Sequence, residues 1–419
     1  MNTQNTNPPI RGSLIADLKK LPKPFYLLMA GSFINRFGHF VIPFLAIYLR
    51  QLGFAPSVTG LALAAFGLGG LAASFIGGYL ADRIGRKPTL LISCFGAAAA
   101  MLILSVAQTV PTLLTGTFLS GLMTCMYYPA SSSLIADLIP QALRVRAYAV
   151  QRFVINLAFG LGMCTAGLVA SSSFFWLFIV DAATTVVLGF IILFGLARGI
   201  GRKSVANAGW GTAIRSIAHD GCFLRAAIAS FLIAVIFWQI SSTLGLQVTD
   251  HSGFDEKAYG FLLGLNGLMI VFLELPLTNW TRHFNPQRII AVGYSLVGLS
   301  LAMLALGGSM PMLIISMVLL TIGEMIALPI NSSYVADLAP ESMRGRYMGV
   351  MGLSWNAAAG LGPMLGLWVF ARSPETLWML CGFVGLAAAG IILVRNKAEN
   401  EITEEAPLGN PEPALELEQ

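Results

Sequence analysis

Residues Pro129–Gly162 read PASSSLIADLIPQALRVRAYAVQRFVINLAFGLG, and residues Pro329–Gly362 read PINSSYVADLAPESMRGRYMGVMGLSWNAAAGLG. The second passage repeats the first 200 positions later, without a gap. Pro129, Asp137, Pro140, Arg144, Arg146, Asn156, Gly160 and Gly162 each meet an identical residue there. Ordinary residue frequencies match only about one position in fifteen by chance. The echo continues more faintly elsewhere, where Gly60, Gly67 and Leu68 face Gly260, Gly267 and Leu268. One half of the chain is a diverged copy of the other, which predicts two related structural units.

Composition names the solvent. Hydrophobic residues make up 56 % of the chain and charged residues 11 %, with a mean hydropathy of +0.76. Soluble domains carry about 25 % charged residues. So few charges cannot cover a water-facing surface, which excludes a soluble enzyme or a nucleic-acid binder. A spanning helix needs about 20 apolar residues. Segments of that kind lie near 25–48, 55–80, 88–108, 110–136, 145–171, 173–197, 223–246, 257–280, 286–306, 309–337, 345–371 and 375–395. The expected fold is an all-α membrane protein of twelve transmembrane helices in two pseudo-symmetric six-helix bundles, 25–197 and 223–395. A cytoplasmic segment (1–24), a linker (198–222) and an acidic tail (396–419) complete the expected organisation. The tail lacks aliphatic periodicity and reads as disordered. In the linker Trp210, Ile214 and Ile217 fall at helical spacing, which fits either a short helix on the inner leaflet or a plain connection.

The net charge of +5 is modest, but its placement is one-sided. With the N-terminus taken as inside, one face collects Arg83, Arg86, Lys87, Arg144, Arg146, Arg198, Arg202, Lys203, Arg344, Arg346, Arg395 and others. The opposite face holds Arg50, Lys257 and Arg372. That bias places both termini in the cytoplasm. Residues 1–24 are polar and many apolar runs follow the first, so a cleavable leader is not expected. The five cysteines are scattered through apolar runs with no metal spacing, and read as packing residues. Neither a metal nor a cofactor is expected.

The connection between the second and third segments reads Gly77-Gly78-Tyr79-Leu80-Ala81-Asp82-Arg83-Ile84-Gly85-Arg86-Lys87-Pro88. Small residues such as Gly78 allow close helix approach, and Gly85 allows a tight turn. Asp82 is placed to meet a helix N-terminus, whose dipole favours an anion. Arg83, Arg86 and Lys87 are within sequence reach of Asp137 at the end of the fourth segment. This loop resembles the signature loop of the major facilitator superfamily, and twelve segments in a six-plus-six duplication resemble that family's plan. The resemblance implies that Asp82, Arg86 and Asp137 latch a cytoplasmic gate. The repeated sets Asp137/Arg144/Arg146 and Asp337/Arg344/Arg346 read as matching inner-edge elements. The second copy of the loop is worn, with Arg282, Asn285 and Pro286 in place of Asp82, Gly85 and Arg86. Topology anchoring alone is the competing reading of these basic residues.

An ionisable side chain at mid-membrane costs about 2.5–3.5 kcal/mol and is a functional candidate by default. Arg36 and His39 lie on one face of the first segment, Arg152 in the fifth, Glu274 in the eighth and Glu324 in the tenth. In the resembled family the first, fourth, seventh and tenth helices line the central cavity, which favours Arg36, His39 and Glu324. Asp181 in the sixth reads as a structural partner. Static pairing of Arg36 with Glu324, or a bundle hydrogen bond at His39, stands as the bland alternative. Tyr127, Tyr128, Trp238, Gln239 and Trp355 would make the cavity aromatic and polar, suited to apolar or cationic compounds. Asn156 and Asn356 precede the repeated Gly-Leu-Gly stretches of the fifth and eleventh segments, whose small residues let helices pack backbone to backbone, and complete the candidate set.

The fifth-segment glycines resemble the motif of proton-coupled antiporters in that family, but Met163 stands where the motif has proline. Thr117 likewise stands where many drug–proton antiporters carry arginine. The reading is a monomeric transporter in the inner membrane that exports drug-like or amphipathic compounds, with protons as the coupling ion. Import of a small metabolite by symport or facilitation is the alternative. An embedded enzyme is excluded because HExxH, GxSxG and phosphate-binding loops are missing.

Overall fold

The computed structural model describes residues 21–196, 210–281, 283–340 and 343–394, and every regular element among them is helical. The stretch 1–20, most of the linker, Arg282 and the acidic tail lie outside the described residues. In the first half the helices are α1 (Lys23–Phe37), α2 (Val41–Gln51), α3 (Pro56–Arg83), α4 (Arg86–Ser105), α5 (Val110–Leu138), α6 (Gln141–Ala170) and α7 (Phe174–Gly195). Helix α8 (Trp210–His219) lies in the connection. The second half contains α9 (Gly221–Phe237), α10 (Thr243–Leu246), α11 (Glu256–Thr281), α12 (Pro286–Ala302), α13 (Met310–Leu338), α14 (Arg344–Phe370) and α15 (Pro374–Leu393).

The ends of these helices follow local chemistry. Proline opens α3, α5, α12, α13 and α15, where a missing N–H costs nothing. The side chains of Asp220, Asn285 and Ser373 cap α9, α12 and α15 by accepting a first-turn N–H. Ten stretches are long and apolar enough to cross a membrane, with α1 and α2 forming one of them as Lys23–Gln51. Helices α5 and α14 match the others in length, at 29 and 27 residues, but are diluted by Ser, Thr, Tyr, Asn and Gly. Such residues belong on the inside of a bundle rather than against lipid.

Within the first half α3 and α4 pack on α5, and α7 packs on α4 and α1. In the second half α12 packs on α13 and α15, and α9 packs on α14 and α15. The most extensive pairings between the halves are α3 with α14 and α6 with α11, and α2 also touches α10. The first two are backbone-close. A Cβ on Gly67 would lie 2.3 Å from the Gly360 nitrogen, and a Cβ on Gly267 would lie 2.7 Å from the Gly160 nitrogen. Gly67 and Gly267 stand 200 positions apart, as do Gly160 and Gly360, so the duplication reappears as an exchange of contacts.

The buried apolar residues form two bodies. The larger unites the second half with first-half residues from Phe40–Leu49, Ala62–Phe66 and Met163–Ala182, near the Arg50 end. The smaller, which includes Phe25, Ala81, Leu90, Ile135, Ile139 and Leu196, is made of first-half residues at the Gly85 end. The halves are thus fused at the Arg50 end and hold separate cores at the Gly85 end.

Candidate transport site

Two helices are broken at corresponding places. The α1–α2 rod is interrupted at Gly38–Phe40, and α9 gives way at Trp238 to a 3-10 turn (Trp238–Ser241), α10 and a π turn (Gln247–His251). A broken helix frees backbone groups that need partners inside the membrane. At the first break, Asp181 Oδ2 accepts the Val41 N–H at 3.4 Å and lies 3.6 Å from His39 Nδ1. At the second, Gln239 Nε2 donates to the carbonyls of Val235 (2.9 Å) and Gly362 (2.8 Å), while its Oε1 accepts the Thr243 hydroxyl at 3.0 Å. Gln239 is thereby turned into the α9–α14 contact, beside Gly366, where a Cβ would fall 1.9 Å from its oxygen.

A cavity of about 240 Å³ lies where the two breaks meet. Arg36, His39, Phe66, Tyr128, Phe159, Trp238 and Asn356 are among its lining residues, drawn from both halves. Arg36 Nη2 donates to the Tyr128 hydroxyl, and its guanidinium lies 5.1 Å from the Tyr128 ring centre. Tyr127 turns aside to bond Ser32 at 3.0 Å. Asn356 Nδ2 donates to Ser74 Oγ across the halves at 3.0 Å. A second cavity of about 370 Å³ lies toward the Gly85 end and is lined by Arg152, Asn331, Met348, Met351, Gly352 and Trp355 among others.

Arg152, which lines this second cavity, links it to the acidic candidates. Arg152 Nε donates to Glu274 Oε2 at 2.9 Å and its Nη2 reaches Oε1, a forked pair between the halves. Glu324 is buried and accepts Asn266 Nδ2 at 3.0 Å, an amide that Thr321 also meets at 3.0 Å. Arg152 and Glu274 lie within electrostatic reach of Glu324. Arg36 and Glu324 are therefore not joined: one is held by an aromatic hydroxyl, the other by an amide. Asn156 is half-buried on α6, with its carbonyl 3.1 Å from where a Gly267 Cβ would sit.

At the Gly85 end, Arg86 is buried and its Nε lies 3.3 Å from Asp137 Oδ2, while Nη1 donates to the Ala81 carbonyl at 2.9 Å. One guanidinium so ties α3, α4 and α5 together. Gly85, with φ of +98°, makes the turn that a side chain would strain. Lys87 Nζ donates to the Leu193 and Leu196 carbonyls at 2.8 and 2.5 Å, which satisfies the C-terminus of α7. Arg83 donates to the Tyr79 hydroxyl at 2.6 Å, Arg144 Nε donates to the Ile139 carbonyl at 3.1 Å, and Arg146 is half-buried one turn into α6. Gly78 faces open space. The Asp82 side chain is outside the described residues, although its backbone closes α3.

The Arg50 end carries bonds that the sequence reading did not single out. Arg50 Nε donates to Asp250 Oδ2 at 3.1 Å, and Gln51 Nε2 donates to Glu256 Oε1 at 2.8 Å. The buried Tyr259 hydroxyl lies 2.7 Å from the Ile240 carbonyl and 3.1 Å from the Pro43 carbonyl. Arg50 and Asp250 are duplicate positions of opposite charge, and that sign reversal was the available clue.

Helices paired across a duplication, with a cavity at two matched breaks, define a membrane transporter of the two-halves type. The chain belongs to the Major Facilitator Superfamily, whose family model matches residues 28–306 and 226–417. It is 29 % identical over 388 residues to a "Na(+), Li(+), K(+)/H(+) antiporter" of Planococcus maritimus, covering 85 % of this chain and 90 % of that one. It is 24 % identical over 389 residues to the "Multidrug resistance protein MdtH" of Escherichia coli, covering 89 % and 94 %. Among solved structures, the nucleoside transporter NupG superposes with a TM-score of 0.75 at 15 % identity, covering 88 % and 98 % of the two chains. A POT family transporter in complex with a thioalcohol-conjugated peptide gives 0.73 at 18 %, covering 92 % and 100 %. At those identities the structures share the fold.

Proposed function

We propose that this transporter works by alternating access, with twelve spanning helices in two pseudo-symmetric bundles rocking about the cavity at the two helix breaks. It exports drug-like or amphipathic compounds in exchange for protons, and the multidrug and cation/proton antiporters among its relatives support that reading. Both termini and the Gly85 loop face the cytoplasm of a bacterial inner membrane, so the conformation described is closed outside and open inside. The cavity between the broken helices carries the proposal, because discontinuous helices in matched positions mark the binding site of a duplicated transporter. Tyr128, Trp238 and Phe159 offer faces for apolar or cationic groups. Glu324 and Glu274 are the proton carriers, with Arg152 as the partner that a proton on Glu274 would release. Each proton entering down the potential supplies about 2.3 kcal/mol per 100 mV.

The test is proton efflux from energised everted vesicles on addition of amphipathic cations. Wild-type protein should release protons and accumulate the compound inside the vesicle, and Glu324→Gln should lose both. Undiminished exchange by Glu324→Gln would remove it from the pathway. Release of protons by sodium or potassium alone would move the substrate to monovalent cations, as the Planococcus relative's name suggests.

A further inference from the structure

We infer that His39 and Asp181 form a second proton-binding site, apart from Glu274 and Glu324, whose occupancy sets how firmly the break in the first spanning helix holds the outer end shut. The inference deepens the proton-coupled reading and rests on it for its role in transport.

The duplication exposes the site. Position 39 corresponds to 239 and position 181 to 381, so His39/Asp181 in the first half stands where Gln239/Cys381 stands in the second. Both halves break a helix at the same place, and both breaks need a side chain to satisfy freed backbone groups. The second half uses a neutral amide, which binds equally at every pH. In the first half a carboxylate and an imidazole take that place. Asp181 is 1 % exposed, and its Oδ2 has two long contacts, the Val41 N–H at 3.4 Å and His39 Nδ1 at 3.6 Å. A buried carboxylate so loosely held gains much from a charged partner.

His39 connects this carboxylate to water. It lines the 240 Å³ cavity between the halves, and with Asp181 it also lines a small polar cavity of about 30 Å³ inside the first half, large enough for a water molecule. Around the pair stand Arg36 on its own helix, Cys94 on α4, and Tyr127 and Tyr128 on α5. Arg36 is within electrostatic reach of Asp181 but commits its Nη2 to Tyr128.

The consequence is mechanical. Val41, which Asp181 caps, is the first residue of α2, a rod of 11 residues whose interior positions are nearly all buried. Its far end carries Arg50 and Gln51, the residues bonded across the halves to Asp250 and Glu256. A proton on His39 turns a weak contact into an ion pair with Asp181, fixes the N-terminus of α2 and favours the closed outer end. Loss of that proton weakens the cap and favours opening. A ligand shifts an equilibrium toward the state that binds it better, so a proton taken up from outside drives the outer end shut, the direction an exporter needs.

Two measurements on the full chain in lipid nanodiscs test this. The protein has four histidines, so ring-labelled histidine gives a small set of NMR signals, and His39→Gln assigns one of them. That signal should respond to pH in the wild-type protein, and Asp181→Asn should change that response. In parallel, spin labels at Leu52 and Lys257, in a chain whose native cysteines are replaced, should approach one another as pH falls. His39→Gln, the residue already present at the duplicate position, should fold normally and abolish that approach, while Glu324→Gln and Glu274→Gln should retain it. The inference is overturned if Asp181→Asn leaves the pH response of the His39 signal unchanged, if the wild-type distance ignores pH, or if the distance response survives His39→Gln. Failure of proton exchange in vesicles with both results intact would sink the transport reading and leave this site standing.

Discussion

At the scale of residues, the forked pair between Arg152 and Glu274 shows how burial sets the sign of a mutation. Arg152 keeps 47 % of its side chain exposed and Glu274 only 11 %. Removing Glu274 leaves a guanidinium that water can still reach. Removing Arg152 leaves a carboxylate in a nearly dry site, and an unpaired buried charge costs more than a lost hydrogen bond. Arg152→Gln should therefore destabilise the protein by about 2–3 kcal/mol, more than Glu274→Gln, and the double variant should be less damaged than the sum. Thermal unfolding of the four proteins in one detergent checks this double-mutant cycle. These two residues stood out in the sequence as charges inside apolar runs, and so did Arg36 and Glu324. Which charge meets which was hidden, because helical spacing fixes a residue's face and depth but not the neighbouring helix. Arg36 finds Tyr128, which the sequence had placed in the same cavity without pairing the two, and Glu324 finds Asn266, which nothing in its own segment singled out.

Helices as elements were largely legible from apolar length, and the prolines at their starts explain why. The two breaks were not. Neither Gly38-His39-Phe40 nor Trp238-Gln239 contains a proline, and the partners lie far off in sequence: Asp181, which accepts the freed Val41 N–H, is 140 residues away, and the Gly362 carbonyl that anchors the Gln239 side chain is 123 residues away. The crossings between halves were half legible: the duplicated glycines predicted close packing, but not that α3 would choose α14 and α11 would choose α6. Adding a methyl at either crossing should therefore have matched effects. Gly67→Ala would press on the Gly360 backbone and Gly267→Ala on that of Gly160. Each should cost about 1–3 kcal/mol by overpacking and slow transport, since backbone cannot rotate away as a side chain can. Gly390→Ala, which meets open space, should leave stability unchanged or slightly raised. A larger loss at Gly390 than at Gly67 in thermal unfolding would contradict this account of the crossings. Gly366→Ala should resemble the crossing variants for another reason, by displacing the Gln239 amide that holds the second break.

At the scale of the whole molecule, a transporter needs the closure at each end to be specific but weak. A closure worth many kcal/mol would trap one conformation, because a ligand shifts an equilibrium only by its differential affinity for the two states. The bonds at the Arg50 end meet that demand. Arg50 and Asp250 are 58 % and 37 % exposed, and a pair so wet contributes about 0–1 kcal/mol. About 1 kcal/mol changes a two-state ratio roughly five-fold, enough to bias closure and small enough for a proton or a substrate to reverse. Arg50→Glu should oppose two acids across the gap and open this end, and Asp250→Arg should oppose two bases with the same result. The double variant Arg50→Glu/Asp250→Arg should recover closure, because it restores opposite signs at duplicate positions. The reading is the distance between spin labels at Leu52 and Lys257, and the single-variant effect should shrink as salt shortens the screening length from about 10 Å at 0.1 M to about 3 Å at 1 M. A double variant as open as either single one would mean that closure rests on the buried Tyr259 contacts with Pro43 and Ile240 and owes nothing to the surface charges.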